Sequence, residues 1–184
     1  GLLILLLAAC SSTPPASSVS GRPPATTPVN PGSDRYAQHH DSAPVNPPDI
    51  SKLAEPVPKA EPRSRYGNPS SYVVNGQTYY VLDSAKGYDK TGLASWYGNK
   101  FQGYRTSSGE PYDMYKFTAA NRVLPLPSYA LVTNLDNNQT VIVRVNDRGP
   151  FHSQRIIDLS WAAAKRLGIT AKGTGRVRVQ AIVP

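Results

Sequence analysis

The stretch "TVIVRVNDRGPF", Thr140–Phe151, decides how this chain folds. Its first residues are β-branched and apolar, the composition of a strand interior. They run straight into Asn146-Asp147-Arg148-Gly149-Pro150, residues that favour turns. One acid, Asp147, therefore stands where the sheet ends. An Asx-type turn into Gly149-Pro150, or an ion pair with Arg144 or Arg148, would account for it without chemistry. A carboxylate presented to a substrate is the other reading.

Working outward, "SYALVTNL" (Ser128–Leu135) is a second β-rich run, joined to the first by the turn-forming "DNNQ". Upstream, "SYVVNGQTYYVL" (Ser71–Leu82) places two β-prone runs around Asn75-Gly76, the pair favoured in a type I′ hairpin turn. "GLASWYG" reads as a short strand, and "NKFQGYRTSSGEPYDMY" as a long polar loop of the kind that usually carries function. "FTAA" is a short apolar run, and Pro125 and Pro127 exclude a central strand or helix after it. In "RIIDLSWAAAKRLGI" the period changes. Ser160 can cap a short helix over Ala162–Leu167, which Gly168 ends. "GTG" at 173–175 reads as a turn, and "GRVRVQAIV" closes the chain as a strand. About six short strands with long loops predict a small closed barrel rather than an open sheet.

Composition divides the chain. Of 18 prolines, 13 lie in residues 1–70, among Ser, Thr, Ala and Asn. Such a stretch buries too little apolar surface to offset its ordering entropy, which predicts a disordered tether. The opening "GLLILLLAAC" is too short to span a bilayer and fits the end of a secretory signal. "LAAC" resembles a bacterial lipobox, which implies lipidation of Cys10 and a membrane anchor there. Ser11 after the Cys then implies the periplasmic side of the outer membrane. Cys10 is the only cysteine in the sequence, so no internal disulfide is possible. The expected organisation is a partial signal peptide (1–9), a tether (10–70), a hairpin and linker (71–90) and a barrel (91–184). The formal charge of +8 suits an acidic polymer. Export and the lack of an RNA-binding module argue against nucleic acid; anionic lipid, the stem-peptide carboxylates of peptidoglycan, and a charge that serves solubility alone stay open.

"GLASWYGNKFQGYRTSSGEPYDMYKFTAAN", "LPLPSYALVTNL", "VIVRVNDRGPF" and "RIIDLSWAAAKRLGI" resemble the rare lipoprotein A family, septal-ring lytic transglycosylases with a double-psi β-barrel. The resemblance spans about residues 71–183. It implies cleavage of the β-1,4 bond between N-acetylmuramic acid and N-acetylglucosamine in strands stripped of stem peptides, leaving 1,6-anhydro ends. It further implies cooperation with amidases and septal-ring proteins in cell separation, and no cofactor. The family's Glu and Asp map to Glu110 and Asp147. Its His maps to Asn121, and Gln102 stands where a second His is usual. An amide cannot exchange protons near neutral pH but can hold a sugar hydroxyl. The departure therefore favours an alternative, an expansin-like module that grips glycan without cutting it.

Glycosidic cleavage needs a proton donor for the leaving oxygen and stabilisation of an oxocarbenium-like centre. Asp147 is the expected acid and Glu110 the second carboxylate, facing one groove on the order of 5–10 Å apart. Trp96, Tyr97 and Tyr104 are candidate sugar platforms, Asn121 and Arg148 candidate glycan contacts. Sequence spacing offers no metal site, because His39 and His40 fall in the tether.

Overall fold

A computed structural model describes residues 41–152 and 154–184. Cys10, its lipidation, and the first part of the tether lie outside the described residues. The strands are β1 (Ser71–Val74), β2 (Gln77–Tyr80), β3 (Asp89–Tyr97), β4 (Thr118–Ala120), β5 (Ser128–Asn134), β6 (Thr140–Asp147), β7 (Arg155–Ser160) and β8 (Thr174–Ile182). One helix, α1 (Trp161–Arg166), follows β7 directly, with Ser160 Oγ accepting from the Ala163 N–H as its cap.

β1 and β2 form the predicted hairpin. Asn75 and Gly76 both take positive φ, 50° and 77°, as a type I′ turn requires. The other six strands close into a double-psi barrel in the order β3-β7-β4-β6-β5-β8. Two of its pairings, β3 with β7 and β4 with β6, are parallel. The rest are antiparallel. Val141, Val143 and Val145 of β6 interleave in the core with Ile157 and Leu159 of β7 and Val177 and Val179 of β8, all fully buried. That apolar filling holds the barrel shut.

Two expectations need correction. "RIIDLS", to which the sequence assigns no element, forms β7, which pairs with both β3 and β4. The run is buried along its last four residues and shows no alternation to mark it as a strand. "GTG" is not only a turn, because β8 already starts at Thr174. The span 41–70, placed in the tether by composition, lies along the barrel instead. The Asp41 carboxylate accepts from the backbone N–H groups of Gly98 and Lys100. Glu55 pairs with Arg166, and Glu61 pairs with Arg144 and accepts from the Tyr129 hydroxyl. Asn68 exchanges two hydrogen bonds with the Leu126 backbone. Polar contacts with the barrel hold this span, together with Ile50 and Leu53, which pack against its core.

Candidate active site

Asp147 ends β6 beside a bulge. β6 pairs with β4 as Ala119 with Val145 and then Ala120 with Asp147, so Asn146 is the extra residue. The bulge turns Asn146 and Asp147 toward the loop 98–117. There Asp147 Oδ1 accepts from Ser107 N at 2.7 Å, Ser107 Oγ at 2.7 Å and Arg148 N at 2.8 Å. The carboxylate is therefore rigidly placed, yet the residue is only 5% exposed.

Glu110 sits three residues beyond Ser107 in the same loop. Its two oxygens accept from one Arg144 nitrogen at 2.8 and 2.7 Å, and Oε2 accepts also from Asn146 Nδ2 at 3.1 Å. Arg144 holds Glu61 with its remaining nitrogens. This guanidinium thus ties the loop, the barrel and the 41–70 span together. The Arg144 bond holds the Glu61 carboxyl at about 2, well below its ordinary 4.5.

Beside Glu110 runs a groove of about 630 Å³, walled by Leu53, Pro56, Asp113, Tyr115, Phe117, Thr118, Arg144 and Asn146. The Glu110 side chain, 40% exposed, opens into it. Two buried atoms of its wall, Asn146 Oδ1 and Thr118 Oγ1, have no hydrogen-bond partner among the described residues. Asp147 does not line the groove; it lies behind Ser107, one residue past Asn146. One loop, through Ser107 and Glu110, joins the two carboxylates.

Several predicted contacts have other duties. Asn121, 1% exposed, donates to the Tyr88 hydroxyl and the Ile156 carbonyl and accepts from the N–H groups of Val123 and Leu124. Its oxygen fastens the turn after β4 while its nitrogen ties that turn to Tyr88 and to β7, so both amide hydrogens and both lone pairs are engaged. The Arg148 guanidinium donates to the carbonyls of Gly67, Asn121 and Leu124 and to Asn68. It lies over the Tyr72 ring, and burial pulls it down to about 10. Arg148 thus acts as a clasp on those carbonyls. Tyr97 stacks on Tyr112 with centroids 4.3 Å apart, and Trp96 packs on the core. Tyr104 is exposed, but none of these three aromatics lines the groove. The aromatics that do are Tyr115 and Phe117. Sequence reading passed over them because nothing local marks an aromatic as groove wall rather than core.

A third carboxyl was also missed. Asp158 of β7 is buried, and burial first, then the charge of Asp147, pushes it up to about 6. Its sequence signal was present, an acid inside the apolar run "IIDLS". The residue was hidden by the failure to recognise β7. Among the described residues no group of His, Cys, Asp and Glu is placed to hold a metal ion. No helix among them is long and apolar enough to cross a membrane.

The family described as lytic transglycolase matches residues 89–179, which span the barrel from the first residue of β3 to Val179 in β8. The chain is 48% identical over 184 residues to the endolytic peptidoglycan transglycosylase RlpA of Pseudomonas aeruginosa, covering 100% of this chain and 52% of that protein. It is 45% identical over 181 residues to the protein of that name from Vibrio cholerae, covering 98% and 61%. With that of Neisseria meningitidis it shares 52% over 131 residues, covering 71% and 54%. The chain thus spans a little over half the length of these curated relatives.

Proposed function

From the premise that this chain belongs to the rare lipoprotein A family, we propose that it is an endolytic peptidoglycan lytic transglycosylase. It cuts the β-1,4 bond between N-acetylmuramic acid and N-acetylglucosamine in denuded strands. The observation that carries this reading is the groove beside Glu110. It offers the Tyr115 ring and the exposed Glu110 carboxylate along one wall. Sugar hydroxyls donate to an open carboxylate, and aromatic faces pack on the C–H faces of sugar rings.

In this reading Asp147 is the general acid that protonates the leaving glycosidic oxygen. The muramic 6-hydroxyl closes on C1 from within the same sugar, so no water has to be activated. Glu110, tied to Arg144, orients the strand and opposes the positive charge that develops at C1. Asp147 is buried, so the strand reaches it only when the segment over Ser107 and Arg148 gives way. That segment is residues 64–68. Its Gly67 lies so close to Ser107 that an added Cβ would stand 2.7 Å from the Ser107 carbonyl oxygen, and its own carbonyl accepts from Arg148. An envelope location, a lipid anchor at Cys10 facing the periplasm from the outer membrane, and septal work beside an amidase complete the proposal.

The test is to give the purified chain amidase-treated sacculi and look by mass spectrometry for 1,6-anhydromuramic ends. Release is expected from the unmodified chain and its loss in Asp147→Asn, with the fold unchanged by circular dichroism. If the chain co-sediments with sacculi but releases nothing, it is a glycan-gripping module instead, as the Asn121 substitution would suggest.

A further inference from the structure

Asp147 and Asp158 stand on either side of a single residue. Ala120 of β4 pairs with Asp147 of β6 on one side and with Asp158 of β7 on the other. Residues paired opposite one another in a sheet project from the same face, so the two carboxyls leave the same face of the barrel wall with Ala120 between them, two strand spacings or about 10 Å apart at the backbone. Asp158 Oδ1 is buried without a hydrogen-bond partner among the described residues, and its Oδ2 lies 3.5 Å from a single Arg155 nitrogen. The neighbouring elements present few charges to it. Arg155 comes from its own strand, Arg122 follows β4, and Asp147 lies across β4. β3 places only the uncharged Ser95 opposite it. Glu110, by contrast, is tied to Arg144 at under 3 Å through both oxygens and lies on the groove side.

We propose that Asp147 and Asp158 work as a carboxyl pair across Ala120, with Asp158, rather than Glu110, the positioning residue that keeps a proton beside Asp147. A carboxyl that is buried, weakly paired and close to a second carboxyl favours its neutral form, and the upward displacement of Asp158 to about 6 agrees. The mechanistic half of the proposal rests on the glycan-cleaving reading. There the pair gives a proton to the O4 leaving group as the C1–O4 bond breaks. The C1–O6 bond forms, and the 6-hydroxyl proton returns to the pair. Nothing is oxidised or hydrated, and the pair ends as it began.

Two measurements test this on the whole chain. The first needs no substrate: side-chain carboxyl carbons are followed by NMR from pH 3 to 8. Asp158 should titrate with a midpoint near 6, and Asp147→Asn should move that midpoint down toward the ordinary aspartate range. An Asp158 midpoint that is ordinary, or unmoved by Asp147→Asn, overturns the pair. The second follows release of anhydro ends from denuded strands against pH. With a midpoint near 6, protonated Asp158 falls roughly tenfold between pH 5 and 7, and the rate should fall with it. Asp158→Asn cannot titrate and should flatten that decline; Asp158→Glu should restore it. A wild-type pH profile in Asp158→Asn refutes the role. Coupled NMR midpoints in a chain that cleaves no glycan would leave the pair standing and sink the transglycosylase reading. Cleavage by a chain with uncoupled midpoints would do the reverse.

Discussion

Glu61→Gln tests how the 41–70 span is fastened to the barrel. The Glu61 carboxylate accepts from Arg144 at 3.0 and 2.9 Å and from the Tyr129 hydroxyl. Its displacement from 4.5 to about 2 corresponds to an upper bound of roughly 3 kcal/mol, at about 1.4 kcal/mol per pH unit. The two side chains are 21% and 20% exposed, and solvent screening reduces this to about 1–2 kcal/mol. A depressed carboxylate stabilises above its unfolded value, and its contribution is lost as pH falls through the folded one. The deficit of Glu61→Gln should therefore be complete at pH 7, begin to shrink below 4.5 and close near 2. For a unit of this size that is a melting-point drop of roughly 3–8 °C at pH 7. Calorimetry of both proteins from pH 7 to 2 measures it. Equal melting points at pH 7, or a gap as wide at pH 2.5 as at pH 7, would refute the assignment.

Asn68→Ala removes both hydrogen bonds to Leu126; it should speed amide exchange across residues 61–69 and raise the rate of anhydro-end release. An unchanged rate would mean that the segment does not limit access to Asp147. Arg148→Met leaves three carbonyls, two of them in buried bonds, without their donor and should cost about 3 kcal/mol or more by denaturant titration. A loss below about 1 kcal/mol would return Arg148 to the list of glycan contacts. Asn121→Ala strips the acceptor from the Val123 and Leu124 N–H groups and should lower stability by about 1–3 kcal/mol. A variant that keeps its stability but loses sacculus binding would show that the amide serves the sugar after all.

What could be read in advance was whatever short-range chemistry dictates. The Asn75-Gly76 turn, the Ser160 cap and the strand before Asp147 follow from backbone preferences and alternation within a few residues. An acid at the end of β6 follows from the same local order. β7 escaped because an apolar run that adjoins a helix carries no period of its own. Its strand character comes from β3 and β4 on either side. The site escaped for a related reason. Whether a carboxylate is open or buried depends on partners far along the chain, such as Ser107 for Asp147, Arg144 for Glu110 and Ala120 between Asp147 and Asp158. The same holds for the Pro-rich span, whose composition foretold disorder until Arg144, Arg166 and Leu126 offered it fixed partners. Sequence settled which groups were available; only barrel closure settled which of them meet, because charge and hydrogen bonding act across distances that chain order does not encode.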